Sequence, residues 1–224
     1  MANGPTSTAG RSKSELVPLP RRIRLSRPEP LRKKTGSLMQ KAIFLDRDGV
    51  VNEEVDYLHR PEDVILTPGL AEAIRKIHAA GYLAIVISNQ SGVARGMFGM
   101  DAVKAVENRI CELLRQENAD VPDAFYYCPH HKKGTVPELS FECECRKPKP
   151  GMFLHAAADW QIDPAQSYMI GDRMSDLHAA KAAGCAHGVL VLTGYGKNCE
   201  DEARSEGWTV CPSVLEAVEY LLKN

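Results

Sequence analysis

The stretch Ile43-Phe44-Leu45-Asp46-Arg47-Asp48-Gly49-Val50-Val51-Asn52 decides how this chain folds. The short apolar run from Lys41 to Leu45 reads as a strand buried in a parallel sheet. It delivers two aspartates, one residue apart, to its C-terminal end, which is where open α/β sheets place their chemistry. In a continuing strand Asp46 and Asp48 point the same way and put two negative charges into one small volume. Such a pair repels unless a cation compensates it. Mg²⁺ suits the position, because it takes few carboxylates and completes its shell with water and phosphate oxygens. One carboxylate can then attack phosphorus while the other moves a proton. Gly49 lets the chain turn just beyond the pair. The competing reading of Asp-x-Asp is a turn and helix cap.

The same design recurs downstream. A helix is expected over Leu70 to Ala80, with Leu70, Ala73, Ile74 and Ile77 on one face and Gly81 as its stop. The strand Tyr82 to Ile87 ends in Ser88-Asn89-Gln90-Ser91-Gly92, where Ser88 and the following amides either donate to phosphoryl oxygens or cap the next turn. Gly92 to Gly99 reads as a loop whose Arg95 could meet a second anionic group. An amphipathic helix runs from Met100 to Glu117, and a strand from Ala124 to Tyr127. After a helix at Met152 to Trp160, the strand Ser167 to Ile170 ends in Gly171-Asp172-Arg173-Met174-Ser175-Asp176. Asp172 could complete a metal site and Asp176 could brace Lys147, or either could serve as an N-cap. Leu177 to Ala183 is a helix and Gly188 to Leu192 a strand. The remainder supplies a strand near Thr209 to Cys211 and a closing helix. Repeated strand and helix alternation gives an α/β fold with a parallel sheet covered by helices on both faces.

One segment breaks the alternation. Cys128-Pro129-His130-His131 is followed by Cys143-Glu144-Cys145, which reads as Cys-x-His, twelve residues, Cys-x-Cys. Three thiolates and an imidazole are a tetrahedral donor set for structural Zn²⁺, with no open position for chemistry. His131 rivals His130 as the fourth ligand, and His130 is preferred because its spacing mirrors that of Cys143 and Cys145. Incidental cysteines are the alternative. Arg146 and Lys147 follow at once, held between this knot and Pro148, so they are set to bind phosphate. Glu53 to Asp63, just past the first strand, could form a small flap over the site.

Bulk properties narrow the class. At 224 residues and 44% hydrophobic, the chain buries one core. A net charge of −1 argues against a nucleic-acid binder. Residues 1–40 hold nine Lys/Arg and two Asp/Glu, a net of +7, which leaves −8 for the rest. Segment 1–38 is expected to be a disordered basic tail ahead of one domain over 39–224. Seven unevenly spaced cysteines and no apolar signal segment suggest a reducing compartment, and the chain is expected to be cytoplasmic, monomeric and away from membranes.

Four separated motifs, Asp46-x-Asp48-Gly49, Ser88 after a strand, Lys147 in Arg-Lys-Pro, and Gly171-Asp172 with Asp176, together resemble the haloacid dehalogenase superfamily of phosphotransferases. Ser88 to Gly96, Tyr126 to His131 and Cys143 to Pro148 bring the resemblance to the D-glycero-D-manno-heptose 1,7-bisphosphate 7-phosphatases, a branch without a large cap that carries a zinc loop. The resemblance implies a phosphatase working on a phosphorylated sugar, with Asp46 as nucleophile and Asp48 as acid/base. It implies Mg²⁺ on Asp46, Asp48 and Asp172, and Zn²⁺ on Cys128, His130, Cys143 and Cys145. It also implies substrate contacts from Ser88, Asn89, Gln90, Ser91, Arg146, Lys147 and Arg173, and from the flap residues Glu53, Glu54, Val55, Asp56 and Tyr57. This sequence departs from the pattern in having Ser88 where Thr is frequent and in the acidity of its flap. Histidinol-phosphate phosphatases share the zinc loop and motifs, and a zinc-stabilised module without turnover is the alternative from another class.

Overall fold

A computed structural model describes residues 39–223, so the expected tail over 1–38 lies outside the described residues. Strands β1 (Ala42–Leu45), β2 (Leu83–Asn89), β3 (Ala124–Cys128), β4 (Tyr168–Gly171), β5 (His187–Val191) and β6 (Thr209–Cys211) make one sheet in the order β3-β2-β1-β4-β5-β6. Every pairing is parallel. All four residues of β1 are fully buried, which is why the strand reads as an unbroken apolar run. Ile43 and Leu45 face one core while Ala42 and Phe44 face the other, the alternation a pleated strand imposes.

Helices α1 (Leu70–Ala79), α3 (Met100–Gln116) and α7 (Val214–Lys223) cover the first face, with Ile74, Ile110 and Val218 in its core. On the second face lie α4 (Gly151–Trp160) and α5 (Met174–Ala183). There the rings of Phe44 and Phe153 meet at 4.7 Å between centroids, a tilted contact that adds about 1 kcal/mol to the area buried. The chain leaves β1 for β2 and β3 on one side and returns to β4 on the other. That reversal opens a crevice at the carboxyl ends of the central strands. Leu45 pairs with both Val86 and Ile170, so Asp46, Ser88 and Asp172 leave the sheet close to one level.

Three helices depart from the sequence reading. Helix α6 (Gly196–Ser205) buries only Gly196 and Ala203, so it has no apolar stripe to announce it. A single helical turn, α2 (Ser91–Ala94), stands inside the expected loop. Helix α5 also begins three residues early, because Asp176 accepts from the Arg173 amide and closes a capping box. Among the described residues no helix is long and apolar enough to cross a membrane.

His78 fastens α1 to the turn before β3, at 3.0 Å from Asp123 and 3.3 Å from Asp120. The hydrogen bond to Asp123 raises its pKa above the ordinary value, against partial burial. A raised folded value means the contact contributes fully below about pH 6.5 and fades as pH climbs through the folded pKa. His78→Asn should therefore lower urea-unfolding stability by up to about 1 kcal/mol near pH 5.5. The deficit should shrink near pH 9; an equal deficit at both would refute the charged contact.

Candidate active site

Lys147 stands at the centre of the crevice. Its ammonium lies 2.8 Å from Asp46 Oδ1 and 2.8 Å from Asp176 Oδ1, and it donates to the Ile87 carbonyl at 2.9 Å. The two aspartates are ion-paired with the ammonium, and the Ile87 carbonyl is its hydrogen-bond acceptor. Burial works against the charge, but Asp176 and Asp46 prevail and hold its pKa well above the ordinary lysine value. Asp46 is itself pushed up to about 7, first by burial and then by Asp176 and Asp48, with Lys147 opposing. The lysine is fixed in place by Asn89, whose amide donates to the Lys147 carbonyl and accepts from the Lys147 amide, each at 3.1 Å.

Asp172 is wholly buried between glycines. A Cβ on Gly49, which has φ +82°, would lie 2.5 Å from Asp172 Oδ2, and one on Gly194 would lie 2.3 Å away. Oδ2 accepts from the Tyr195 amide at 2.8 Å, whereas Oδ1 has no partner. Burial, then Asp46 and Asp176, raise Asp172 to about 8. One ligand oxygen from each of Asp46, Asp172 and Asp176 lies within 4.8 Å of the others. A buried carboxylate oxygen without a donor, beside a second carboxylate, is a donor set that fits a hard divalent cation.

The Asp48 carboxylate lies outside that trio. β1 ends at Leu45 and the chain turns at Gly49, so strict alternation lapses after Asp46. Asp48 is instead gripped by Arg47 and also accepts from Asn52 at 3.1 Å and Gln90 at 3.0 Å. Gln90 donates to Ser88 Oγ as well, at 2.9 Å. Asp48 still faces the same cleft as Asp46.

That cleft holds about 400 Å³ and is lined by Asp46, Asp48, Glu54, Asp56, Tyr57, Ser88, Asn89, Gln90, Ser91, Arg146, Lys147 and Arg173. Two flap residues fall outside it. Glu53 lines a neighbouring cavity, and Val55 is turned to solvent. The acidity of the flap is softer than its formal charge, since burial and then Asp48 push Glu54 up to about 7. Arg95 and His131 line the wall near Arg146, and burial followed by the charges of Arg146 and Arg95 pushes His131 down. The sequence reading missed Tyr195. Its amide holds Asp172, its hydroxyl donates to Asp56 at 2.7 Å, and its ring lies 3.6 Å under the Arg173 guanidinium. Gly194-Tyr195-Gly196 after an apolar strand was the available signal.

At the edge of the cleft Cys128, His130, Cys143 and Cys145 converge. Their Sγ and Nδ1 atoms stand 3.2 to 3.8 Å apart in the contacting pairs. Tetrahedral zinc with bonds of about 2.3 Å spaces its ligands roughly 3.7 Å apart. The contact between Cys128 and Cys145 draws Cys145 down to about 5 and pushes Cys128 far up. Binding a cation through all three sulfurs would require Cys128 and Cys143 to give up their protons as well. His131 instead accepts from the Lys133 amide at 3.1 Å, and Arg146 donates to the His130 carbonyl at 3.4 Å.

Comparison with known proteins gives this geometry a lineage. Residues 144–217 match the HAD-hydrolase-like family model. The D-glycero-beta-D-manno-heptose-1,7-bisphosphate 7-phosphatase of Haemophilus ducreyi is 40% identical over 182 residues, 81% of this chain and 98% of the relative. The Photorhabdus laumondii enzyme, named for the alpha anomer, is 43% identical over 155 residues, 69% of this chain and 84% of its own. The crystal structure of D,D-heptose 1,7-bisphosphate phosphatase from B. bronchiseptica, complexed with magnesium and phosphate, superposes with a TM-score of 0.72. It is 36% identical and covers 82% of this chain and 99% of that one. Likeness at this identity, over nearly the whole length of such relatives, means that the chain belongs to the D-glycero-D-manno-heptose-1,7-bisphosphate 7-phosphatase family of HAD hydrolases.

Proposed function

We propose that this chain removes the 7-phosphate of D-glycero-D-manno-heptose 1,7-bisphosphate through an aspartyl-phosphate on Asp46, in the making of activated heptose for surface glycans. The observation that carries this reading is the Lys147 ammonium 2.8 Å from Asp46 and braced by Asp176. Such an arrangement receives a phosphoryl group beside a fixed positive charge. Asp46 attacks phosphorus while Asp48 gives a proton to the departing sugar oxygen. Asp48 then takes a proton from the water that releases phosphate. Ser88 and Lys147 hold the phosphoryl oxygens, and the cationic wall of Arg95, Arg146 and Arg173 favours a substrate with a second anionic group over a cationic one.

Mg²⁺ is proposed on Asp46, Asp48 and Asp172, with the two buried carboxylates Asp46 and Asp172 carrying most of that assignment. When bound it neutralises charge on the phosphate and on these carboxylates. Zn²⁺ is proposed on Cys128, His130, Cys143 and Cys145, fixing the loop that ends in Arg146 and Lys147. Unpaired thiols beside such a centre suit the cytoplasm, and a site built from one chain suits a monomer.

Three outcomes test this reading. In a phosphate-release panel of both heptose bisphosphate anomers and histidinol phosphate, one or both heptose anomers should be turned over fastest. Asp46→Asn should lower that rate by on the order of 10³-fold or more with zinc retained. Preference for histidinol phosphate would move the substrate assignment to the other branch. Mg²⁺ at a hundredfold excess over its Kd should stabilise the protein by about 2.7 kcal/mol in thermal unfolding, and Asp172→Asn should remove the effect. Elemental analysis should find about one zinc per chain, and Cys143→Ser should lose it together with thermal stability; an unaltered melting temperature would refute the structural zinc.

A further inference from the structure

Arg47 stands between the two aspartates but is absent from the cleft lining. Its side chain is 1% exposed and is the largest wholly buried one among the described residues. A charge enters a core only when it is paired. Here the pairing is with Asp48. Arg47 Nε donates to Oδ1 at 3.0 Å, and Nη2 donates to Oδ1 at 2.6 Å and to Oδ2 at 2.9 Å. A planar fork along the edge of a carboxylate fixes its plane as well as its position, which a point charge does not. Asn52 and Gln90 complete the clamp.

A second layer stands on the side of β3 and α3. The Tyr127 hydroxyl donates to Glu107 Oε2 at 3.2 Å, and Glu107 is 3% exposed and paired with Lys104. Simple charge compensation is a weak account of this array. Three donors from the one guanidinium converge on Asp48 while Arg47 Nη1 has no partner. A core selected for stability alone would place a hydrophobic side chain there.

We propose that Arg47 is a positioning residue for proton transfer: its fork, with the Asn52 amide beside it, aims the Asp48 carboxylate at the leaving oxygen. This rests on the acid/base role given to Asp48 above. In the first half-reaction the bond from phosphorus to the sugar oxygen breaks and the bond from Asp46 to phosphorus forms. The proton of Asp48 passes to the departing oxygen. Misaiming Asp48 leaves the attack by Asp46 intact, so the damage depends on how much the leaving group needs that proton.

The test compares kcat/KM, which reports every step through departure of the leaving group, for heptose bisphosphate and for p-nitrophenyl phosphate or acetyl phosphate, whose leaving groups depart without a proton. Asp48→Asn sets the reference, with a loss on the sugar phosphate on the order of 10²-fold greater than its loss on the activated esters. Arg47→Lys should give the same selectivity with a loss of about tenfold, and Asn52→Ala, which removes the neighbouring donor to Asp48, a loss of roughly threefold. Equal losses on both substrate types, or none from either variant, would overturn the proposal. Should Arg47→Lys fail to fold, as judged by circular dichroism and zinc content, Asn52→Ala decides alone. A wild-type protein inactive on every phosphate ester would instead overturn the phosphatase reading, and this proposal with it.

Discussion

One buried ammonium group governs the site. Lys147 faces Asp46 and Asp176 at 2.8 Å each in a place almost sealed from water. Three carboxylates gather within reach of one another there, and their charges would be untenable without a fixed cation. Much of the surrounding structure serves to hold that lysine still. Asn89 clasps its backbone, the Ile87 carbonyl accepts from its ammonium, and the Cys/His knot fixes the chain just ahead of it. Helix α5 contributes by presenting Asp176 from its first turn while the same carboxylate caps the helix. Stability and chemistry therefore share atoms, so damage to the knot should reach the catalytic centre without touching it.

Charge in the cleft is divided by depth. Carboxylates and Lys147 occupy the floor, while Arg95, Arg146, His131 and Arg173 occupy the walls. The flap looks too acidic for a phosphorylated ligand when only its sequence is counted. Folding corrects the count, because burial beside Asp48 raises Glu54 to about 7. Asp56 is engaged by the Tyr195 hydroxyl, and Arg173 stacks on that same ring. The flap is thus tied to the loop after β5, which also supplies the amide that holds Asp172.

Strands were legible wherever burial on both sheet faces left an uninterrupted apolar run, as in Ala42–Leu45, and helices wherever one face was apolar, as in Leu70–Ala79. Helix α6 was not, since its inward face is only Gly196, Cys199 and Ala203, with no large apolar residue to mark it. Of the site, the strand ends gave Asp46, Ser88 and Asp172 directly. The orientation of Asp48 escaped because it depends on a turn after β1, and the grip of Arg47 is invisible in a list of residue types. Tyr195 escaped because its contacts join segments far apart in sequence. Asn89 was expected to meet the substrate, and its side chain also fastens the segment carrying Lys147. Local periodicity reports burial; it does not report which polar atoms meet after the chain has turned.

The central claim is that Asp46 becomes phosphorylated. Enzyme mixed with heptose bisphosphate, quenched in acid within a turnover and reduced with borohydride, converts any aspartyl-phosphate to homoserine, which peptide mass spectrometry locates. The account predicts homoserine at position 46 and at no other aspartate. Homoserine at position 48, or unmodified peptide alongside undiminished phosphate release, would contradict it.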